Sequence, residues 1–208
     1  MRKSIVLTLI LGFLSLVGKA GQVIKTELGI RATVDSVNIE IQFFGTKIVR
    51  VIKTPEGEDP DLKSFSVIKK AGPVALKIAS TDNWVTVNSP ELKVTLDLVN
   101  GKVSFFDSEE KLLLAEKNHG SRFTSMNYPS GKSYRVFQSF MLEPSERIYG
   151  LGQIQNGKLV QRNQKIRLKQ ENMKIAIPFF QSEKGYGLFW DNSSQTDFSD
   201  NQEETSFD

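Results

Sequence analysis

Residues 91–106 read ELKVTLDLVNGKVSFF, and the reading of that stretch decides the fold. Leu92, Val94, Leu96 and Leu98 alternate with Glu91, Lys93, Thr95 and Asp97. Period-two alternation puts the apolar side chains on one face of an extended chain, which is the pattern of a half-buried strand. Asn100-Gly101 follows, the pair that tolerates positive φ at both central positions of a two-residue hairpin turn. Val103 and Phe105 resume the alternation on the other side.

The same period recurs on either side. Val37, Ile39, Ile41 and Phe43 alternate with Asn38, Glu40 and Gln42, and Gly45-Thr46 allows a turn into Lys47–Lys53 (KIVRVIK). Tyr134, Val136, Gln138, Phe140 and Leu142 form another run. Ile175, Ile177 and Phe179 form one more, with Pro178 directing that strand to a sheet edge or a bulge. Glu109–Lys117 has helix propensity, but between a hairpin and a Gly-, Asn- and Ser-rich loop it reads as strand. Thr54–Pro60 and Asn127–Lys132 read as surface loops, and Ser193–Asp208 as a polar tail or a strand lacking its partner. With turn signals every 8 to 12 residues or so, this spacing predicts an all-β, antiparallel β-sandwich. No internal repeat or linker divides the chain, so one domain is expected over residues 21–208.

Composition narrows the function classes. The 208 residues include 27 Lys+Arg, 24 Asp+Glu, one His and no Cys. The absence of Cys rules out a disulfide framework and a thiolate metal site or nucleophile within this sequence. Arg2 and Lys3, an apolar run from Ile5 to Val17, and Gly18-Lys19-Ala20 have the layout of a secretory signal peptide over residues 1–20. The run is shorter than the roughly 20 residues of a transmembrane helix. The expectation is a secreted or periplasmic protein with no membrane attachment after cleavage. Removing the leader takes three bases and no acid, leaving 24 of each, so the basic excess of a nucleic-acid binder is missing.

Catalysis needs a positioned carboxylate or imidazole with a second group beside it. Glu40, Glu91 and Asp97 lie on polar phases of strands, and Asp107, Glu109 and Glu110 lie in turns, positions suited to solvated charges. His119 precedes Gly120 in a polar loop, where a surface or capping role fits better than catalysis. One His without Cys offers no metal-ligand spacing, and no cofactor is expected. Tyr149-Gly150-Leu151-Gly152-Gln153 falls short of a dinucleotide fingerprint, because position 155 is Gln155 and no helix follows. Its glycines read instead as a bulge or tight bend where another backbone comes close. Sugar sites combine aromatic faces with amides and acids. Trp84, Tyr128, Tyr134, Phe179, Phe180, Tyr186 and Trp190 supply the former, and the stretch Gln164–Asn172 (QKIRLKQEN) the latter.

Two segments, LEPSERIYGLGQ at 142–153 and IPFFQSEKGYGLFWDNSS at 177–194, resemble the conserved N-terminal domain of glycoside hydrolase family 31. Asn156-Gly157, Arg162, Gln164 and Gln170-Glu171-Asn172, which lie between them, resemble the bacterial α-xylosidase-like members. The resemblance implies a galactose-mutarotase-like sandwich that packs on a (β/α)₈ barrel of about 250 residues, the barrel holding both aspartates of a retaining mechanism. The sequence ends at Asp208 without a match to either catalytic motif, so the sandwich is expected to be incomplete at its C-terminal end and the chain to have no catalytic residue and no activity alone.

In the family a loop of this domain reaches the mouth of the barrel's active site. By position that loop corresponds to Gln170, Glu171 and Asn172, the expected substrate-binding residues. The implied partner is an α-linked oligosaccharide, met through the barrel, with self-association through exposed edges when the barrel is absent. The competing reading is a free-standing carbohydrate-binding module. A mutarotase, a third reading, is disfavoured because that chemistry uses histidine acids with a carboxylate base.

Overall fold

An extended chain satisfies its backbone N–H and C=O groups only by pairing with a neighbour, so each alternating run has to find a sheet. The computed structural model describes residues 23–59, 63–129 and 131–208. Its strands, in chain order, are β1 (Ile24–Thr26), β2 (Gly29–Val34), β3 (Val37–Gly45), β4 (Ile48–Pro55), β5 (Lys77–Ser80), β6 (Trp84–Asn88), β7 (Leu92–Asp97), β8 (Val103–Asp107) and β9 (Leu112–Glu116). There follow β10 (Arg122–Tyr128), β11 (Gly131–Met141), β12 (Ile148–Gln153), β13 (Lys165–Leu168), β14 (Ile175–Ser182), β15 (Gly187–Phe189), β16 (Thr196–Asp200) and β17 (Thr205–Phe207). Among the described residues there is no helix. The expected signal peptide at 1–20 lies outside them.

The strands form three antiparallel sheets. β1-β2-β3-β4 is a simple meander, and β12-β14-β15 is a small three-stranded sheet. The third sheet has ten strands, in the order β13-β16-β17-β11-β9-β8-β7-β6-β5, with β10 pairing to β11. Two cores sit against it. Ile30, Ala32 and Val34 of β2 and Ile39, Ile41 and Phe43 of β3 pack on Val85, Val87, Val94, Leu96 and Val103 of β6 to β8. Ile148, Leu151 and Phe180 of β12 and β14 pack on Leu114, Phe140, Ile166, Leu168, Phe198 and Phe207 of β9, β11, β13, β16 and β17. Phe105 of β8 touches both clusters. The architecture is therefore the expected all-β sandwich, with one long sheet covered by two lids. Each fully buried Phe or Ile contributes up to about 3 kcal/mol of apolar burial.

Lys53 of β4 reaches across the first core's margin to Glu116 of β9, 2.6 Å away, and also donates to the Gly101 carbonyl and the Ser121 hydroxyl at 3.0 Å. Glu116 accepts the Val103 N–H as well, at 2.8 Å. Burial pushes the Glu116 carboxyl pKa up, against the pull of the Lys53 ammonium.

Several expectations need correction. The β7–β8 connection is not a two-residue turn: Leu98–Lys102 make up the loop, and only Gly101 of the Asn-Gly pair has positive φ. The Asp97 carboxylate takes the Val99 N–H at 2.7 Å, and the Asp97 carbonyl takes that of Gly101 at 2.9 Å, so a longer loop satisfies its own backbone. Asp97 is consequently buried rather than solvated. Asn127–Lys132 is mostly strand, since Asn127 pairs with Lys132 and Tyr128 with Gly131 across the β10–β11 hairpin.

The C-terminal stretch is not a tail. It forms β16 and β17, and β17 lies between β16 and β11 with all three of its residues buried. The Pro178 expectation holds in its second form: β14 is the central strand of its sheet and its pairing with β12 slips around Pro178, with Ile175, Ile177 and Phe179 pointing outward and Phe180 and Ser182 inward. Glu109–Lys117 is β9 and its flanks, as the context implied.

Candidate functional site

The Tyr149–Gln153 segment builds the base of the site. Gly150, Leu151 and Gly152 all have positive φ, and the pairing of β12 with β14 slips between Gly150 and Gly152. The slip is the bulge expected of these glycines. A Cβ on Gly150 would lie 2.7 Å from the Phe179 carbonyl oxygen, and one on Gly152 only 1.9 Å from that of Ile175, so both positions exclude any side chain. The bulge turns Leu151 fully into the second core and sits opposite Pro178, where the ladder lacks a donor.

The two motif segments are tied by a buried carboxylate. Glu146, just before β12, accepts the hydroxyls of Ser182 and Tyr186, both at 2.5 Å, and the Glu143 N–H at 3.2 Å. Burial and the Glu146 charge push the Tyr186 phenol pKa far above its ordinary value. Arg162 closes the arrangement by donating to the carbonyls of Glu143 and Glu146 at 2.8 Å and to the Asp200 carboxylate at 2.9 Å. Asp200 in turn accepts the Asn163 N–H and the Thr205 hydroxyl. These residues are locked in reciprocal hydrogen bonds and are structural. The spacing of the two motifs is the spacing of β12 and β14 plus their connection.

Gln170, Glu171 and Asn172 occupy the loop between β13 and β14. Gln170 turns back, its side-chain oxygen taking the Ala176 N–H at 3.2 Å. Glu171 lies 3.3 Å from Lys169 and 3.5 Å from Lys174. Lys169, foremost, holds its carboxyl pKa below the ordinary value. The Lys174 N–H donates to the Glu171 carbonyl at 3.2 Å across a tight turn whose third residue, Met173, has φ of 66°. That conformation is unusual for a side chain of this size and fixes the tip of the loop.

Asn172 lines an open cleft of about 460 Å³ together with Gln155, Asn156, Gln164, Arg167 and Lys174. Ile154, Ile166 and Met173 supply its apolar surface. Amides and cations over an apolar floor are groups that can take hydroxyls. Of the three expected residues the structure brings only Asn172 to the cleft, while Gln170 and Glu171 hold the loop. Arg167, on β13, belongs to the Gln164–Asn172 stretch, whereas Gln155, from the β12–β13 connection, and Lys174, at the end of the β13–β14 loop, were not foreseen.

No group of three or more His, Cys, Asp or Glu among the described residues could hold a metal ion. His119 is exposed beside Asp35, 3.8 Å away, in a left-handed turn position. Among the described residues no helix is long and apolar enough to cross a membrane.

Comparison with known proteins places this geometry. Residues 38–199 match the model of the glycosyl hydrolase 31 N-terminal galactose mutarotase-like domain. The chain is 32% identical over 171 residues to an α-xylosidase of Saccharolobus solfataricus, covering 77% of this chain and 23% of that protein. It is 26% identical over 178 residues to α-glucosidase 2 of Bacillus thermoamyloliquefaciens, covering 79% and 22% respectively. The crystal structure of the GH31 α-xylosidase of Xanthomonas citri superposes with a TM-score of 0.72 at 28% identity, over 87% of this chain and 19% of that one. The chain thus spans less than a quarter of the length of each of these relatives.

Proposed function

The chain belongs to the family of glycosyl hydrolase 31 N-terminal galactose mutarotase-like domains, and from that premise we propose that it is the non-catalytic N-terminal domain of an exported α-glycosidase of the α-xylosidase or α-glucosidase type. Residues 21–208 form the domain, and residues 1–20 direct its export. It packs on a catalytic barrel and places the Gln170–Asn172 loop at the rim of the active site, where an α-linked oligosaccharide meets the Asn172 amide. Bond cleavage belongs to the barrel's carboxylates, and this chain contributes position and polarity.

One observation carries the reading. The loop that the family resemblance assigns to the rim is held from both ends, by the Gln170–Ala176 bond and the Glu171–Lys174 turn, and it offers Asn172 to a cleft. A side chain on such a held loop can discriminate among sugars without an ordering cost at each turnover. The test is Asn172→Ala in a full-length enzyme carrying this chain as its N-terminal domain. Losing one hydrogen bond to substrate should lower kcat/KM about tenfold, with thermal stability unmoved. Unchanged kcat/KM and unchanged substrate preference would overturn the assignment.

A further inference from the structure

We propose that the outer face of the β12-β14-β15 sheet is the surface on which the rest of the enzyme packs, through an apolar stripe of Ile175, Ile177, Phe179 and Phe189. The proposal rests on the reading of the chain as one domain of a longer enzyme. These four side chains are 47%, 48%, 39% and 37% exposed. They are contiguous: Phe179 and Phe189 are direct cross-strand partners, and Ile177 and Ile175 follow on the same phase of β14. Phe179 is held close to the sheet, since a Cβ on the neighbouring Gly187 would come within 2.7 Å of its ring. Monomers seldom leave a continuous apolar stripe of this kind in water.

The outer face of the four-stranded sheet shows the alternative. There Arg31 pairs with Glu40 at 2.8 Å, Gln42 donates to Glu40 at 2.8 Å, and Thr33 donates to Asn38 at 2.7 Å. The centre of that face is polar, and the exposed apolar residues of this sheet, Ile24 of β1 and Ile48 of β4, lie apart on its two edge strands instead of forming a stripe.

Three observations select the occupant. The relatives carry more than three quarters of their length outside the match, so a large intramolecular partner exists in them for a face of this kind. The stripe begins three residues after Asn172, with the exposed Met173 between, so a body that meets the rim loop also meets the stripe. Its chemistry is aliphatic as much as aromatic. Two isoleucines beside the Phe pair suit protein packing better than the flat aromatic platform that a sugar ring needs.

The test puts Ile175→Asp and Ile177→Asp, each singly, into two settings: the 208-residue chain alone, and the chain substituted for the matching segment of the Saccharolobus solfataricus α-xylosidase. A charge buried without a partner is strongly destabilising, whereas the same charge on an open surface is nearly neutral. Each substitution should leave the Tm of the isolated chain within about 2 °C, yet lower the Tm of the hybrid enzyme by more than about 5 °C. Equal effects in the two settings overturn the proposal, as does an unsubstituted hybrid that fails to assemble. An isolated chain that is a dimer by light scattering and becomes monomeric on substitution, with the hybrid unaffected, assigns the face to a second copy and also overturns it. So does calorimetric binding of xylo- or malto-oligosaccharides that either substitution abolishes. Asn172→Ala in the same hybrid separates the two readings: a normal kcat/KM with a destabilising Ile177→Asp would remove the subsite and leave the docking face standing.

Discussion

The two lids cover the same long sheet by different means. The four-stranded lid is a meander whose core contribution is aliphatic apart from Phe43, and its outside is laced by short polar pairs. The three-stranded lid lies on an aromatic core, where Phe207 meets Phe198 at 5.4 Å, Trp190 at 5.5 Å and Phe180 at 6.3 Å between ring centroids. It is pinned by a buried carboxylate, bent by a glycine bulge and apolar on its outside. Alternation alone is enough to make the first lid. The second needs particular residues at particular places, and those are the residues through which the family is recognised. Features that depend on single residues sit beside the cleft, so specificity of sequence marks the half that carries it.

Breaking the bulge should show this most strongly. Gly152→Ala places a methyl 1.9 Å from the Ile175 carbonyl oxygen at a φ of 97°, and the strain cannot be relieved by moving a side chain. We expect a loss of about 4 kcal/mol or more in urea unfolding. Gly57→Ala, also at positive φ but with open space around it, should cost only about 1 kcal/mol. Hydrogen exchange adds the regional reading: amides of β12 and β14 should lose protection while those of β2 and β3 keep theirs. Uniform loss of protection across both lids would mean that the halves are one cooperative unit and the contrast between them is only compositional.

The carboxylate lock comes next in size. Glu146→Ala removes the acceptor for the buried Ser182 hydroxyl and for the half-buried Tyr186 hydroxyl and Glu143 N–H, leaving those donors without this partner. The expected cost is about 3 kcal/mol. Thr33→Ala deletes one hydroxyl contact, at 2.7 Å to Asn38, from the outside of the first lid and should cost less than about 1 kcal/mol. The two values, measured in the same denaturant series, should differ at least threefold. Similar costs would show that hydrogen bonds at the surface and in the lock are equivalent, and the distinction between lids would narrow to the bulge.

Much of this was legible from residues alone, and the failures have physical causes. Strands declare themselves wherever one face is apolar, as at Val37–Phe43 and Leu92–Leu96, because a single buried face forces period two. The sheet's middle at Thr196–Phe207 hid itself because its buried positions include Thr196, Asp200, Thr205 and Ser206. Such residues read as tail until Arg162 and Asn163 arrive from elsewhere in the sequence to satisfy Asp200. Ile175–Phe179 misled in the opposite sense, since alternation reveals an apolar face but not what covers it. Of the three loop residues named from the family resemblance, Asn172 lines the cleft. Gln155 and Lys174 line the same cleft from the β12–β13 connection and the end of the β13–β14 loop, a meeting that no local pattern encodes.

The smallest effect tests the outside of the first lid. Arg31 donates to the Glu40 carboxylate through Nη2 at 2.8 Å and Nε at 3.3 Å, and its side chain is more than half exposed. The hydrogen bond and the Glu40 charge raise the guanidinium pKa, but at that exposure water and salt screen most of the attraction. Arg31→Ala should therefore cost no more than about 0.5 kcal/mol at low salt, and the difference from wild type should vanish near 1 M salt, where the screening length falls to about 3 Å. A larger cost that survives high salt would mean that the pair is part of the first lid's framework. The null result is the informative one. If the polar exterior adds so little stability, its role is to keep that face in water and unpaired, and the absence of any such exterior on β14 and β15 then reflects a surface shaped by what lies against it.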